Sequence, residues 1–156
     1  MIVVNDASTD NTAEVLAAYG NEINVLTNEI NRGYGSSIKR GILHADTEWV
    51  ATMDADNQHR LSDLEHMYTL LDENTDALLG SRTQHSNAPL ARRPGKWILR
   101  HTANFLAATR IPDINCGLRI FRHSIILELF NITSDRFSFS TSSTIALLQL
   151  LSLIHI

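Results

Sequence analysis

Trp49-Val50-Ala51-Thr52-Met53-Asp54-Ala55-Asp56-Asn57-Gln58-His59 is the stretch on which the reading of this chain turns. Trp49 to Met53 has the aromatic and β-branched content of a strand, and the strand runs straight into Asp54. In extended backbone, residues two apart point the same way, so Asp54 and Asp56 can face one point. Two bare carboxylates held that close repel one another. A hard divalent cation removes that cost, and Gln58 can supply a third oxygen. An all-oxygen set suits Mg²⁺ or Mn²⁺ better than Zn²⁺. The bland alternative is a strand-to-helix loop in which an Asp merely caps a helix. A calcium loop is the sharper rival, with Asp54, Asp56, Gln58 and Glu65 at its ligand positions. It fails because His59 stands where the turn needs Gly, and because a strand rather than a helix precedes it.

Outward from this segment, strands and helices alternate. Ile2-Val3-Val4, Ile23–Leu26, Trp49–Met53, Ala77–Gly80 and Leu118–Phe121 read as strands. Asn11 followed by Glu14 has the spacing of a capping box and predicts a helix to Gly20. A loop at Asn31–Ser36 predicts a helix to about Asp46, and Leu61, Leu64, Met67, Leu70 and Leu71 recur at helical spacing. Lys96–Ala108, His123–Phe130 and Thr141 to about Leu151 complete the helices, and Thr83–Gly95 is a long loop. The spacing predicts an α/β fold with a mostly parallel sheet and helices on both faces. Ligands of such sheets sit beyond the carboxyl ends of the strands. Asp6, Asp54, Asp56 and Arg82 all follow strands, so one rule brings them to one edge.

The chain has 156 residues, 44% of them hydrophobic and 19% charged, which fits one globular domain. No apolar run reaches the roughly 20 residues of a membrane-spanning helix. A lone cysteine, Cys116, excludes an internal disulfide and a multi-cysteine zinc site, fits a reducing cytosolic setting, and reads as a packing residue. Charge is split. Residues 1–81 carry four Lys and Arg against fourteen Asp and Glu, a net of −10; residues 82–123 carry eight against Asp113 alone, a net of +7. The acidic part suits a divalent cation and the basic part a phosphate or an anionic membrane surface. Nucleic-acid binding is disfavoured, because the net charge is −4 and no basic run is interleaved with aromatics. Gly33-Tyr34-Gly35 opens like a dinucleotide loop, but Ile38 replaces the third glycine. Arg82 and Arg93 bracket a loop able to close over an anion.

Several motifs then carry a resemblance. Val3-Val4-Asn5-Asp6-Ala7-Ser8-Thr9-Asp10-Asn11-Thr12 resembles the V-[ND]-D-x-S-x-D-x-T segment of glycosyltransferase family 2, and Asn31-Arg32-Gly33-Tyr34-Gly35 its N-x-G-x-G loop. Asp54-Ala55-Asp56-Asn57-Gln58-His59 and Gly80-Ser81-Arg82 are similar to the D-A-D-x-Q-H and G-S-R of its polyprenyl-phosphate, dolichol-phosphate mannose synthase-like branch. Asp113 to Arg122 is similar to D-x-x-S-G-F-R-x-F-R, and Phe137 to Thr141 to F-S-F-S-T. The resemblance implies a GT-A-like fold and inverting transfer of a sugar from a nucleotide-sugar donor to a lipid phosphate. It implies that Asp6, Asn31, Gly33 and Asp54 bind the donor, that Asp54 and Asp56 are catalytic and with Gln58 hold Mg²⁺ or Mn²⁺, and that Arg82, Arg93 and Arg119 receive the acceptor phosphate. Such an enzyme would work in the cytoplasm, at the cytoplasmic face of a membrane.

The same resemblance implies that a first β-α unit is missing, so residues 1–156 are expected to form one partial catalytic domain with 151–156 as a non-native tail and little activity alone. Transfer to a saccharide hydroxyl is the alternative reading within the class, with Asp113 as its candidate base. A structural ion pair between Asp113 and Arg119 is the competing role for that acid. Outside the class stands a non-catalytic domain that binds nucleotide or metal.

Overall fold

Alternation along Trp49–Thr52 sets the layers of the fold. The computed structural model describes residues 1–82, 111, 113–149 and 154–155. The chain runs β1 (Ile2–Asn5), α1 (Thr12–Ala17), a 3-10 turn (Gly20–Glu22), β2 (Asn24–Thr27), α2 (Tyr34–Leu43), β3 (Trp49–Thr52), α3 (Leu61–Thr69), β4 (Ala77–Leu79), β5 (Arg119–Arg122), α4 (His123–Glu128), α5 (Phe139–Gln149) and β6 (Ile154–His155). The expected loop 83–95 and helix 96–108, with Arg92, Arg93 and Arg100, lie outside the described residues.

The larger sheet has the order β3-β5-β4-β6. Val50 pairs with Phe121, which pairs with Ala77, and these residues point to one face. There they meet Ile42 of α2, Ile126 of α4, and Phe139, Ala146 and Leu147 of α5 in the main core. Ten fully enclosed apolar side chains of this kind supply the driving force for folding, at roughly 1.5–3 kcal/mol each for the larger ones. The opposite face carries Trp49, Ala51 and Ile120, and α3 lies over it across a cavity of about 330 Å³. The sheet thus has helices on both sides, as alternation predicts. One strand departs from the parallel expectation. β5 enters between β3 and β4 antiparallel to both, while β6 runs parallel to β4. The backbone of Ile154–His155 is therefore a sheet edge, although the sequence carries no strand pattern there.

β1 and β2 form a separate parallel pair in the register Ile2↔Asn24 to Asn5↔Thr27. Among the described residues β1 and β3 do not pair, so each sheet ends on an open edge. α2 joins the two sheets. Gly41 lets it lie close to Val4 of β1, while Ile42 reaches the main core. The start of α2 is clamped from below. Lys39 Nζ donates to the carbonyls of Phe130 and Thr133 and to Asp135 Oδ1, each at 2.7 Å. Ser36 N donates to the Asp135 carbonyl at 2.9 Å. Gly35 is needed here, because a Cβ would fall inside contact distance of the Ser134 carbonyl.

The helix starts correct one expectation. Asn11 occupies the N-cap of α1 without a side-chain hydrogen bond. Asp10 takes that work instead, its Oδ1 accepting from Thr12 N at 3.0 Å and Thr12 Oγ1 at 2.5 Å. Asp one residue earlier satisfies the first N–H of the helix, that of Thr12, in a turn of its own.

Candidate functional site

Three loops at the carboxyl ends of β1, β2 and β3 converge on the start of α2. Asp6, just past β1, is the hub of the first group. Its Oδ1 accepts from Asn28 Nδ2 at 2.7 Å and Arg32 N at 2.9 Å, and its Oδ2 accepts from Gly33 N at 2.8 Å. Asn31 Nδ2 approaches the Asp6 carbonyl at 3.4 Å. The carboxylate thus faces the free N–H groups at a helix start, where negative charge is favoured. Burial alone would raise the Asp6 pKa; the hydrogen bonds from Arg32, Asn28 and Gly33 outweigh it and hold the acid below its ordinary value. Asn28 is itself fixed, since its Oδ1 accepts from Arg40 Nη1. Asp6, Asn31 and Gly33, read from separate motifs, are here one hydrogen-bonded group. Gly33 sits at φ 98°, which a side chain would strain.

The next residue carries the link to the acidic loop. Tyr34 Oη donates to Asp54 Oδ1 at 2.8 Å. Burial, then the charge and hydrogen bond of Asp54, push the phenol up to about 12. On its other side Asp54 lies against Gly117, where any Cβ would collide with the carboxylate. Gly117 is placed by Thr52, whose Oγ1 donates to the Gly117 carbonyl at 3.0 Å. Sequence reading gave Tyr34 and Gly117 no role at Asp54, because nothing local couples residues 20 and 63 positions away.

Beyond Asp54 the backbone bends over Ala55–Asn57, so the extended-strand argument holds only as far as Asp54. Asn57 takes φ 61°, and Asp56 Oδ1 accepts from Gln58 N at 3.1 Å in a turn of its own making. Asp56 is exposed and Asp54 half-buried. Gln58 already has one partner for its side-chain oxygen. Its Oε1 accepts from Arg82 Nη1 at 3.0 Å. Among the described residues no cluster of three or more His, Cys, Asp or Glu gathers. Asp54, Asp56 and Gln58 bring only oxygen donors to this loop, the kind a hard divalent cation takes.

Arg82 also donates through Nε to Asp113 Oδ2 at 2.6 Å and through Nη2 to Asp113 Oδ1 at 3.1 Å. Burial would raise the Asp113 pKa, but the Arg82 hydrogen bonds and charge outweigh it and keep the carboxyl ionised. The expected ion pair of Asp113 is thus made with Arg82, not with Arg119, and a carboxylate so stabilised is a poor base.

Arg119 is the clearest correction. It was expected at the acceptor phosphate, but it is only 1% exposed. Its Nε donates to the Cys116 carbonyl at 2.7 Å, Nη2 to the Ile114 carbonyl at 2.8 Å, and Nη1 to Thr144 Oγ1 at 2.8 Å and Ser143 Oγ at 3.3 Å. Those two hydroxyls donate back to the carbonyls of Ser140 and Phe139 in α5, leaving their lone pairs for the guanidinium. Burial pulls Arg119 down to about 10, still charged at neutral pH. It is a buried cation behind the site, on the same sheet face as Phe121. Arg93 lies outside the described residues. Arg136, passed over in the sequence, lays its side chain across Gly33. Cys116 is buried, as a packing residue should be.

Residues 1–130 match the family described as Glycosyl transferase family 2. The chain belongs to this family. It is 33% identical over 142 residues to a dolichyl-phosphate beta-glucosyltransferase of Trichomonas vaginalis, a match covering 83% of this chain and 43% of the relative. It is 28% identical over 130 residues to an undecaprenyl-phosphate 4-deoxy-4-formamido-L-arabinose transferase of Yersinia enterocolitica, covering 81% of this chain and 39% of that one. This family 2 chain spans less than half the length of those relatives. Its fold is GT-A-like, superposing on glucosyl-3-phosphoglycerate synthase from Mycobacterium tuberculosis in complex with Mn²⁺, UDP-glucose and phosphoglyceric acid. The TM-score is 0.75 at 18% identity, over 98% of this chain and 56% of that one. No helix among the described residues is long and apolar enough to cross a membrane.

Proposed function

We propose that this chain is the donor-binding part of a metal-dependent, inverting glycosyltransferase that passes a sugar from a nucleoside diphosphate to a polyprenyl phosphate. The observation that carries the reading is the pair of hydrogen bonds at consecutive residues, Asp6 to Gly33 N and Tyr34 to Asp54. They link the loop after β1, the glycine loop and the acidic loop through adjacent residues, which supports their reading as one site. Asp6, Asn31 and Gly33 line the nucleotide side, and Asp54 and Asp56, with Gln58, would hold Mg²⁺ or Mn²⁺. When bound, the cation acts as a Lewis acid toward the departing diphosphate.

The acceptor phosphate oxygen forms a bond to the anomeric carbon as the bond from that carbon to the diphosphate breaks. The electron pair leaves with the nucleoside diphosphate, and the sugar inverts. An anionic phosphate brings its own negative oxygen, so the step needs no strong base. Asp113, the acid that transfer to a hydroxyl would call on, is ionised but committed to Arg82. That favours the lipid-phosphate acceptor over a saccharide hydroxyl. Arg82, fixed by Asp113 beside Gln58, supplies positive charge next to the acidic loop. The surplus of Lys and Arg in residues 82–123 suits an anionic acceptor and, in the same way, an anionic membrane surface at the cytoplasmic side.

The chain spans less than half the length of those relatives, and among the described residues β1 and β3 do not pair, so the reading is tested with and without added sequence. The test is a donor screen with UDP- and GDP-sugars, Mn²⁺ and a short polyprenyl phosphate, run on this chain and on a version extended at its N-terminus. Transfer by the extended version that disappears with Asp56→Ala supports the reading. Transfer that ignores Asp56→Ala or chelation of the metal refutes it.

A further inference from the structure

The geometry points to Tyr34 as the positioning residue that holds the Asp54 carboxylate ready for its cation. This rests on the reading of Asp54 and Asp56 as the metal site. A carboxylate turns easily about its last torsion, whose preferences are broad. At Asp54 that freedom is removed from two sides. Tyr34 Oη donates to Oδ1 at 2.8 Å, and Gly117 presents a bare Cα against the carboxylate. Neither residue belongs to the acidic loop. The loop itself bends immediately after Asp54.

Tyr34 is in turn anchored by its neighbours. It is the first residue of α2, directly after Gly33, whose N–H is bound by Asp6. Ser36 N and Lys39 Nζ fasten the same helical turn to residues 130–135. Phe137, itself 82% exposed, leans its ring on Tyr34 at 6.3 Å between centroids. The phenol therefore enters the site from a rigid base. It connects the carboxylate on the nucleotide side, Asp6, to the carboxylate on the metal side, Asp54, through two adjacent residues. Groups that orient metal ligands in this way are worth about 10–100-fold in metal affinity.

Tyr34→Phe removes one oxygen and leaves the ring packing. Phe137→Ala removes the ring contact and leaves the hydroxyl. Mn²⁺ is titrated into the whole chain with UDP or, separately, GDP, and free Mn²⁺ is read by electron paramagnetic resonance, with circular dichroism as the check on folding. The expected result is Mn²⁺ binding that Asp56→Ala abolishes, that Tyr34→Phe weakens about tenfold, and that Phe137→Ala leaves within about twofold. If Tyr34→Phe matches the wild type while Asp56→Ala binds no Mn²⁺, the positioning role is overturned and the metal reading stands. If Tyr34→Phe and Phe137→Ala weaken binding equally, or Tyr34→Phe loses its fold, the tyrosine is a packing residue and the role falls. If the wild type binds no Mn²⁺, or Asp56→Ala binds it as well as the wild type, the metal reading fails and takes this inference with it.

Discussion

Arg82 grips both carboxylate oxygens of Asp113, with Nε to Oδ2 at 2.6 Å and Nη2 to Oδ1 at 3.1 Å, and its remaining Nη1 reaches Gln58. The pair spans the end of β4 and the approach to β5. It holds the acidic loop against the rest of the sheet edge.

Asp113 has a folded-state pKa below the ordinary carboxylate value, so it stabilises the fold above that value. The stability is lost as pH falls through the lowered folded pKa. Asp113→Asn should remove about 1–2 kcal/mol at pH 7 and progressively less as pH falls below the ordinary carboxylate value, flattening the acid limb of the stability curve. Urea unfolding at several pH values measures this. An unchanged acid limb would mean the pair contributes nothing in solution.

Arg119→Leu should destabilise the chain by about 3 kcal/mol or more, because it strands the Ile114 and Cys116 carbonyls without donors inside the core. Arg119→Lys should recover only part of that loss, since one ammonium cannot reproduce a planar fork with four acceptors. Thermal melts compare the two. A phosphate-binding role would instead leave the melting temperature almost untouched.

Gly35→Ala should be the most disruptive single methyl addition among the described residues of the α2 start. The new Cβ collides with backbone, the Ser134 carbonyl, rather than with a movable side chain. Overpacking of this kind typically costs about 1–3 kcal/mol. Gly117→Ala collides with the Asp54 carboxylate, which can swing away. Its expected signature is therefore weaker Mn²⁺ binding with a smaller loss of stability, measured by metal titration beside a melt.

Asp6→Ala should free the Arg32 and Gly33 N–H groups, costing about 1 kcal/mol, the usual loss for a helix-start acceptor. Because the Asp6 pKa is lowered, its contribution is present above the ordinary carboxylate value and fades as pH falls through the folded one. Amide exchange at residues 32–35 should quicken in the variant. Equal protection in both proteins would show that Asp6 does not hold the loop.

Sequence by itself determined the layers of this protein. Apolar runs placed Val50 and Phe121 in buried strands, apolar spacing placed α3, and the loop at Asn31–Ser36 placed the start of α2, each to within a few residues, because such patterns are properties of neighbouring residues. The motifs likewise carried the family resemblance, and the rule that ligands sit beyond strand ends brought Asp6 and Asp54 to one side of the fold, although their strands lie in separate sheets. The strand alternation even carried a signal about Arg119 that went unread: two residues from Phe121 on a strand, it must face the core side.

Only the tertiary structure decided who touches whom. β5 slips antiparallel between β3 and β4, and that insertion carries Gly117 up to Asp54 and Asp113 over to Arg82. Tyr34 meets Asp54 across twenty residues, and Arg82 reaches the Gln58 oxygen across twenty-four. Such contacts join segments that are distant in the chain. Their geometry depends on the sum of packing between whole elements, and no local pattern of residue types records that sum.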